Sequence, residues 1–434
     1  MKLKVKKYGK LSGEITLPAD KSITHRGLMI ASFSKGKSSI KNYSKCNDCL
    51  TTIKILQKAG IDIEENGNEI IVKGKGFSGF RKPFEVLNCE NSATTMRLMA
   101  GIFSSLDFET VLIGDHSLMK RPMDRIINPL RKMGAEIKGK GKRGYPPLYI
   151  HGKELKPFKH QLKISSAQVK SAIIFAALNT EGETFIKEPF RSRDHTERML
   201  HLFGANITTR DDSIIVSGKS PAFGTDIRVP ADISSASYFI ALALLTEGAE
   251  IILKDVGVNP TRTGFLEVLR RMGAIISIEN KKVVSNEPVA DIIVKGKQEL
   301  KGVEIEKKDI PRIIDELPLV AVVATQAKGI TVVRGAEELR VKESDRIEAI
   351  TKGLRKLGAK IESTEDGFIV EGETILKGSY CESYKDHRIA MSLTIAGLIA
   401  EGETVINDIE CVNISFPGFT NYLKEFNCEG IIRI

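Results

Sequence analysis

Four short clusters carry side chains able to handle charge and protons. Asp20-Lys21-Ser22-Ile23-Thr24-His25-Arg26 puts Lys21 and Ser22 in the first turn of a helix, with Arg26 just over one turn later. A cation there opposes the helix macrodipole, so Lys21 costs stability unless an anion binds. Removing it is expected to leave stability unchanged or higher. Arg340-Val341-Lys342-Glu343-Ser344-Asp345-Arg346 gathers five charges within seven residues. Such a run builds an anion site or lines a solvated, salt-bridged helix. Tyr384-Lys385-Asp386-His387-Arg388 opens an apolar, Ala-containing helix, where charges are costly without a partner. Asp315-Glu316 precedes the apolar run Leu317 to Ala324. Two acids at that place either cap the helix or act on protons.

Motifs for other chemistries fail on inspection. Gly74 to Gly79 and Gly139 to Gly144 both fit the glycine spacing of a dinucleotide loop. That loop needs a helix directly after the glycines. Here Phe80-Arg81-Lys82-Pro83 and Tyr145-Pro146-Pro147 follow, which break helices, so both are expected to be hairpin loops. Gly36-Lys37-Ser38 lacks the first glycine of a P-loop, since Ala31 stands there. No HExxH or nucleophile-elbow pattern is present. Cys46 and Cys49 have CxxC spacing but no further ligands nearby, so they read as structural thiols. The six cysteines are too scattered for a disulfide framework. The chemistry therefore rests on side chains and pre-organised charge, with no metal and no cofactor.

Recurrent elements position these clusters. A helix that ends in a basic residue and Gly-Ala, followed by an alternating strand, recurs at Gly60, Gly134, Gly204, Gly273 and Gly358, with a degenerate sixth copy at Glu425-Phe426-Asn427-Cys428. The glycines are 74, 70, 69 and 85 residues apart, the length of one supersecondary unit. Upstream of each phrase a polar cluster opens an apolar helix: Asp20-Lys21-Ser22, Asn91-Ser92-Ala93-Thr94, Ser165-Ser166-Ala167-Gln168, Ser234-Ser235-Ala236-Ser237, Asp315-Glu316 and Asp386-His387-Arg388. Their oxygens suit N-caps, and helices apolar all round are buried ones. Each unit thus reads helix, turn, strand, surface helix, Gly-Ala turn, strand. If the units face alike, several helix N-termini converge on one surface and favour anions.

At 434 residues the chain exceeds one core, and about two to three domains are expected. The net charge of +10 fits either a solvated basic surface or attraction of small acidic substrates. Nucleic-acid binding is disfavoured, because lysines are spread along the chain and aromatics are only 6%. The basic N-terminus is followed by alternating Leu3, Val5, Leu11, Ile15 and Leu17, which read as strand and not as a signal peptide. No apolar run approaches the length of a membrane span, and a cytoplasmic protein is expected.

The blocks Asp20-Lys21-Ser22-x-x-x-Arg26, Arg121-Pro122-Met123, Ser166-Ala167-Gln168-Val169-Lys170-Ser171, Ser192-Arg193-Asp194-His195-Thr196-Glu197, Arg340 to Arg346 and Asp386-His387-Arg388 resemble, in order, the signature blocks of the 3-phosphoshikimate 1-carboxyvinyltransferase family. The likeness runs from about residue 10 to 430. It implies an α/β fold: a two-domain inside-out α/β barrel built from six βαβαββ-like repeats, three per domain. Residues 1–19 with 231–434 would form one domain and 20–230 the other. The family moves the enolpyruvyl group of phosphoenolpyruvate to the 5-hydroxyl of shikimate 3-phosphate. A monomer acting on these two small substrates, without nucleic acid or membrane, is implied.

By the same resemblance Lys21, Ser22, Arg26, Ser166, Ala167 (through its backbone), Gln168, Arg193, Asp315 and Lys342 hold shikimate 3-phosphate. Lys21, Asn91, Ala93, Arg121, Gln168, Arg346 and Arg388 hold phosphoenolpyruvate. Lys21, Asp315 and Glu343 are the catalytic groups, Asp315 as base for the hydroxyl and Glu343 as proton exchanger for the methylene carbon. Two departures stand out. Ala93 occupies a place often held by Gly, as in glyphosate-tolerant forms, and Ile414 a place where some members carry Lys, with Lys385 a neighbouring substitute. The sister UDP-N-acetylglucosamine 1-carboxyvinyltransferases typically carry Lys-Asn in place of Lys21-Ser22 and a reactive Cys in the loop that here runs from Gly114 to Arg121 without one. An RNA-processing protein on a related scaffold, suggested by a pI of about 9.1, leaves the ordered blocks unexplained.

Overall fold

A computed structural model describes residues 1–7, 9, 11–210, 212–426 and 431–433. Asn427 and Cys428, which end the sixth Gly-Ala-like phrase, lie outside the described residues. The chain divides into two compact units, one of Ala19–Val229 with Val283–Glu287, the other of Met1–Pro18, Pro230–Lys282 and Pro288–Ile434. Each contains three four-stranded sheets.

The Ala19–Val229 unit holds helices α1 (Lys21–Phe33), α2 (Asn47–Lys58), α3 (Ala93–Ser104), α4 (Asp124–Lys132), α5 (Ala167–Leu178) and α6 (His195–Leu202). α1, α3 and α5 are buried nearly throughout, as their unbroken apolar and small residues require. α3 and α5 lie side by side and parallel. Gln168 at the start of α5 bonds Thr94 at the start of α3, and Asn179 at its end bonds Ser105 at the end of α3. The helices touch at Gly101, where an added Cβ would sit 2.2 Å from the Ala172 carbonyl oxygen. Every sheet takes a short parallel edge strand from the end of a repeat. Leu87–Asn88 joins Glu109–Ile113, Lys159–Gln161 joins Glu183–Lys187, and Ile227–Arg228 returns to Lys35–Lys41, closing the set of three.

The other unit repeats this plan with α7 (Ile233–Leu245), α8 (Gly264–Arg271), α9 (Leu317–Ala324), α10 (Arg346–Lys356), α11 (His387–Ile399) and α12 (Phe419–Glu425). Here α7, α9 and α11 are the buried helices. The chain start closes this set. Ser12–Ile15 pairs parallel with Glu250–Gly257, and Lys2–Lys6 pairs antiparallel with Glu403–Asn407, in the place a hairpin strand takes in the other sheets.

Both kinds of helix end follow from local sequence. Asp20, Ser92, Ser166, Asp232 and Asp386 each accept a backbone N–H of the first turn. α9 is the exception: Glu316 occupies the cap position without a capping bond. The surface helices α2, α4, α6, α8 and α10 end in the glycines noted above, all with positive φ between 81° and 102°. The following residue donates back to the helix, as Ala205 N–H does to Leu200 at 3.0 Å, satisfying a terminal carbonyl.

One expectation needs correction. Gly139 to Gly144 does form a hairpin turn, between Glu136–Lys140 and Tyr145–His151. Gly74 to Gly79 does not: the strand Glu69–Lys75 runs into a single 3-10 turn, Phe77–Gly79. Gly76 N–H donates to Ser34 O, and Phe77 stacks on Phe33 of α1 with ring centroids 4.9 Å apart. Docking against α1 thus replaces hairpin closure.

Candidate active site

In the Ala19–Val229 unit the expected ligand residues gather at the N-terminal ends of α1, α3 and α5. Lys21 is the first residue of α1, and its Nζ lies 2.8 Å from Asp48 Oδ2 on α2. The macrodipole conflict expected of Lys21 is therefore offset by a protein carboxylate. Arg26 is 2% exposed and ties three helices together. Its Nε donates to Thr196 Oγ1 on α6 at 2.7 Å, its Nη2 to Ser171 Oγ on α5 at 3.0 Å, and its Nη1 to the Ser22 carbonyl.

Asn91 and Arg121 meet directly. Asn91 Oδ1 accepts from Arg121 Nη2 at 3.0 Å, while Asn91 Nδ2 donates to Asp115. Ala93 follows the Ser92 cap as the first residue of α3. Ser166 caps α5 and Ala167 opens it. Gln168 is held at both ends, its Oε1 by Arg97 Nη1 at 2.5 Å and its Nε2 by Thr94 Oγ1 at 2.8 Å. Arg97 also donates to the Pro122 carbonyl beside Arg121. Arg97 thus links the Gln168 and Arg121 positions. Arg193 is partly exposed on the loop before α6, next to the buried Ser192.

In the other unit Arg346 is the pivot. It is 2% exposed and touches three carboxylates: Asp386 Oδ2 at 2.8 Å, Glu343 Oε2 at 2.6 Å and Asp315 Oδ1 at 3.4 Å. Burial would weaken its charge, but Asp386, Glu343 and Asp315 outweigh that and hold the guanidinium protonated. Burial pushes the Lys342 ammonium below its usual range; Asp315 opposes this and Arg346 adds to it. The seven-residue charged run is not one helix. Its first two residues end a 3-10 turn, Glu337–Val341, and α10 begins only at Arg346, capped by Asp345. Arg340 does pair with Asp345 near the surface, so the solvated reading holds for that end alone.

Arg388 shares the electrostatic neighbourhood of Asp315 with Arg346. It is buried with Nη1 4.0 Å from Glu316 Oε1, and its Nε has no hydrogen-bond partner among the described residues. Glu316 accepts from Ser234 Oγ, which itself accepts from Arg262 Nη2 at 2.8 Å. The starts of α7, α9 and α11 thus meet around one buried carboxylate. Ile414 ends a 3-10 turn, Ile409–Ile414, and Lys385 is exposed with a φ of 56°.

Sequence reasoning missed Asp48, Arg97 and Arg262. Arg97 had a signal, since it stands four residues after Ala93 on the same helix face. Asp48 sat unregarded between Cys46 and Cys49, both of which are buried free thiols. Among the described residues, no helix is long and apolar enough to cross a membrane.

Residues 5–423 match the family described as EPSP synthase (3-phosphoshikimate 1-carboxyvinyltransferase). The 3-phosphoshikimate 1-carboxyvinyltransferase of Petrotoga mobilis is 49% identical over 429 residues, covering 98% of this chain and 99% of its own. The solved EPSP synthase of Acinetobacter baumannii is 42% identical, with a TM-score of 0.87 over 99% of both chains. The enolpyruvyl transferase NikO of Streptomyces tendae, only 15% identical, shares the fold at a TM-score of 0.79 over 99% of this chain and 98% of its own. A profile match across nearly all the chain, with relatives this similar over their full length, shows that the chain belongs to the EPSP synthase family.

Proposed function

We propose that this protein transfers the enolpyruvyl group of phosphoenolpyruvate to the 5-hydroxyl of shikimate 3-phosphate, releasing phosphate. Ser22, Arg26, Ser166, Ala167 N–H, Gln168, Arg193 and Lys342 bind shikimate 3-phosphate. Asn91, Ala93, Arg121, Gln168, Arg346 and Arg388 bind phosphoenolpyruvate, and Lys21 serves both. Guanidinium forks suit phosphate and carboxylate, and each charged hydrogen bond contributes roughly 1.5–3 kcal/mol.

The observation that carries the reading is Arg346 in contact with both Asp315 and Glu343. The reaction needs two proton transfers in one place. Asp315 takes the hydroxyl proton as the oxygen attacks C2 of phosphoenolpyruvate, while Glu343 protonates the methylene carbon. Elimination then returns a proton from the methyl group to Glu343 and expels phosphate. In this scheme Asp315 starts ionised and Glu343 protonated, Glu343 regains its proton in the elimination, and the proton taken by Asp315 leaves with the phosphate. Engagement of Arg346 with phosphoenolpyruvate loosens its hold on both carboxylates.

The relatives' names and the absence of Cys from Gly114 to Arg121 support this substrate over a UDP-sugar. A cytoplasmic monomer acting without a cofactor goes with the reading. Phosphate release and thermal unfolding test it. Shikimate 3-phosphate at about 100 times its dissociation constant should add roughly 2.7 kcal/mol of stability. Phosphate should appear only when both substrates are present. Stabilisation and turnover with UDP-N-acetylglucosamine instead would overturn the proposal.

A further inference from the structure

Lys170 lies in α5 two residues after Gln168, is 1% exposed, and has no part in the binding roles above. Its Nζ is 2.8 Å from Glu197 Oε1 and 2.9 Å from Glu188 Oε2, and it donates to the Ser192 carbonyl at 3.4 Å. Glu188 grips the same serine again, accepting from its backbone N–H at 3.3 Å and from its hydroxyl in a short bond. Ser192 immediately precedes Arg193. The next pair along repeats the contact: Ser171 Oγ on α5 meets Thr196 Oγ1 on α6 at 2.6 Å. Those two hydroxyls are the ones on which Arg26 rests.

Burial alone would push the Lys170 ammonium down, but Glu197 and Glu188 outweigh it and hold it above its usual range. An ion cluster this deep is a poor source of stability, since apolar side chains of similar volume often serve as well or better. What it supplies is placement. Three bonds converge on Ser192 and fix the backbone that presents Arg193, while Glu197 fixes the start of α6.

We infer that Lys170 is a positioning residue for the shikimate 3-phosphate side of the site, setting the 188–194 loop that carries Arg193 and the end of α6 that supports Arg26. The inference rests on the binding roles proposed above. It differs from them in naming what aligns the two arginines.

Steady-state kinetics of full-length Lys170→Met beside the wild type test it. A shift of about 1 Å in a binding group can cost on the order of a hundredfold. The KM for shikimate 3-phosphate is expected to rise about tenfold or more, with the KM for phosphoenolpyruvate held within about twofold. Glu188→Gln in the Lys170→Met background should add little, because the two act as one unit. If Lys170→Met does not fold, Ser192→Ala carries the same test, since it removes one tether and no charge. Equal rises in both KM values, or an unchanged KM for shikimate 3-phosphate, would overturn the inference while leaving the proposed reaction standing. A wild type inactive with this substrate pair would remove both.

Discussion

Lys21 Nζ and Asp48 Oδ2 are 2.8 Å apart, so the cation that opens α1 already has a carboxylate beside it. The pair is largely buried, with side chains 17% and 9% exposed. Asp48 lies in the first turn of α2, where its charge also favours that helix dipole. An anion that binds Lys21 as proposed must compete with Asp48 for it.

That contact reverses the stability expected of Lys21→Ala. Loss of the ammonium leaves Asp48 without its partner, and unfolding free energy should fall by about 1–3 kcal/mol. Adding Asp48→Ala should recover part of that loss. A double-mutant cycle by urea unfolding checks it, with a coupling energy of about 1 kcal/mol or more expected. A coupling near zero would mean the contact contributes nothing to the free protein.

Arg346 binds Asp315 and Glu343 together, so neutralising either carboxylate should affect turnover far more than binding. Asp315→Asn keeps the shape and removes the base. Turnover should drop by roughly a hundred- to ten-thousandfold. The dissociation constant of shikimate 3-phosphate, measured by calorimetry, should stay within about threefold. Substantial turnover by Asp315→Asn would assign the base elsewhere.

The buried helices, their caps and the Gly-Ala turns were legible because each is decided within about one turn of chain. Asp20, Ser92 and Ser166 cap the helices they precede, and Gly60 to Gly358 take the positive φ their turns demand. The sixfold repetition then gave the architecture. What escaped was contact between helices, within a repeat or across repeats. Asp48 lies 27 residues from Lys21, Gln168 lies 71 from Arg97, and Thr196 lies 170 from Arg26. Nothing local marks such partners, because packing of one helix on another selects them. The Glu316 position misled for the same reason. Read as a possible cap, it instead serves Ser234 from another repeat.

Ala93 gives a prediction about inhibition. It opens α3 behind the Ser92 cap and is 7% exposed, so its methyl group has little room to yield. Glyphosate is slightly longer than phosphoenolpyruvate and should meet that methyl. Ala93→Gly is expected to lower the glyphosate inhibition constant by roughly tenfold or more, while the KM for phosphoenolpyruvate changes much less. Competition kinetics on both forms decide the matter, and equal inhibition constants would clear Ala93 of the role.

His25 predicts how the fold responds to acid. Its Nδ1 is 2.7 Å from Thr52 Oγ1, which contacts Thr95 Oγ1, which in turn contacts Ser92 Oγ, each at 2.7 Å. The imidazole thus ties α1 through α2 to the start of α3. Burial pushes its pKa well below the usual value, Lys21 and Arg26 push the same way, and Asp20 opposes them. The folded state therefore binds fewer protons than the unfolded chain, where histidine titrates near about 6.5. The associated stability is complete above that pH and is lost as the pH falls below it, by up to about 1.4 kcal/mol per pH unit. His25→Asn removes the titration and retains an amide able to bond Thr52. Its stability, from urea unfolding between about pH 6.5 and 5, should fall less steeply than that of the wild type by up to that slope. Parallel slopes would mean that His25 takes up its proton without unfolding, and that the hydroxyl chain to Ser92 tolerates an imidazolium.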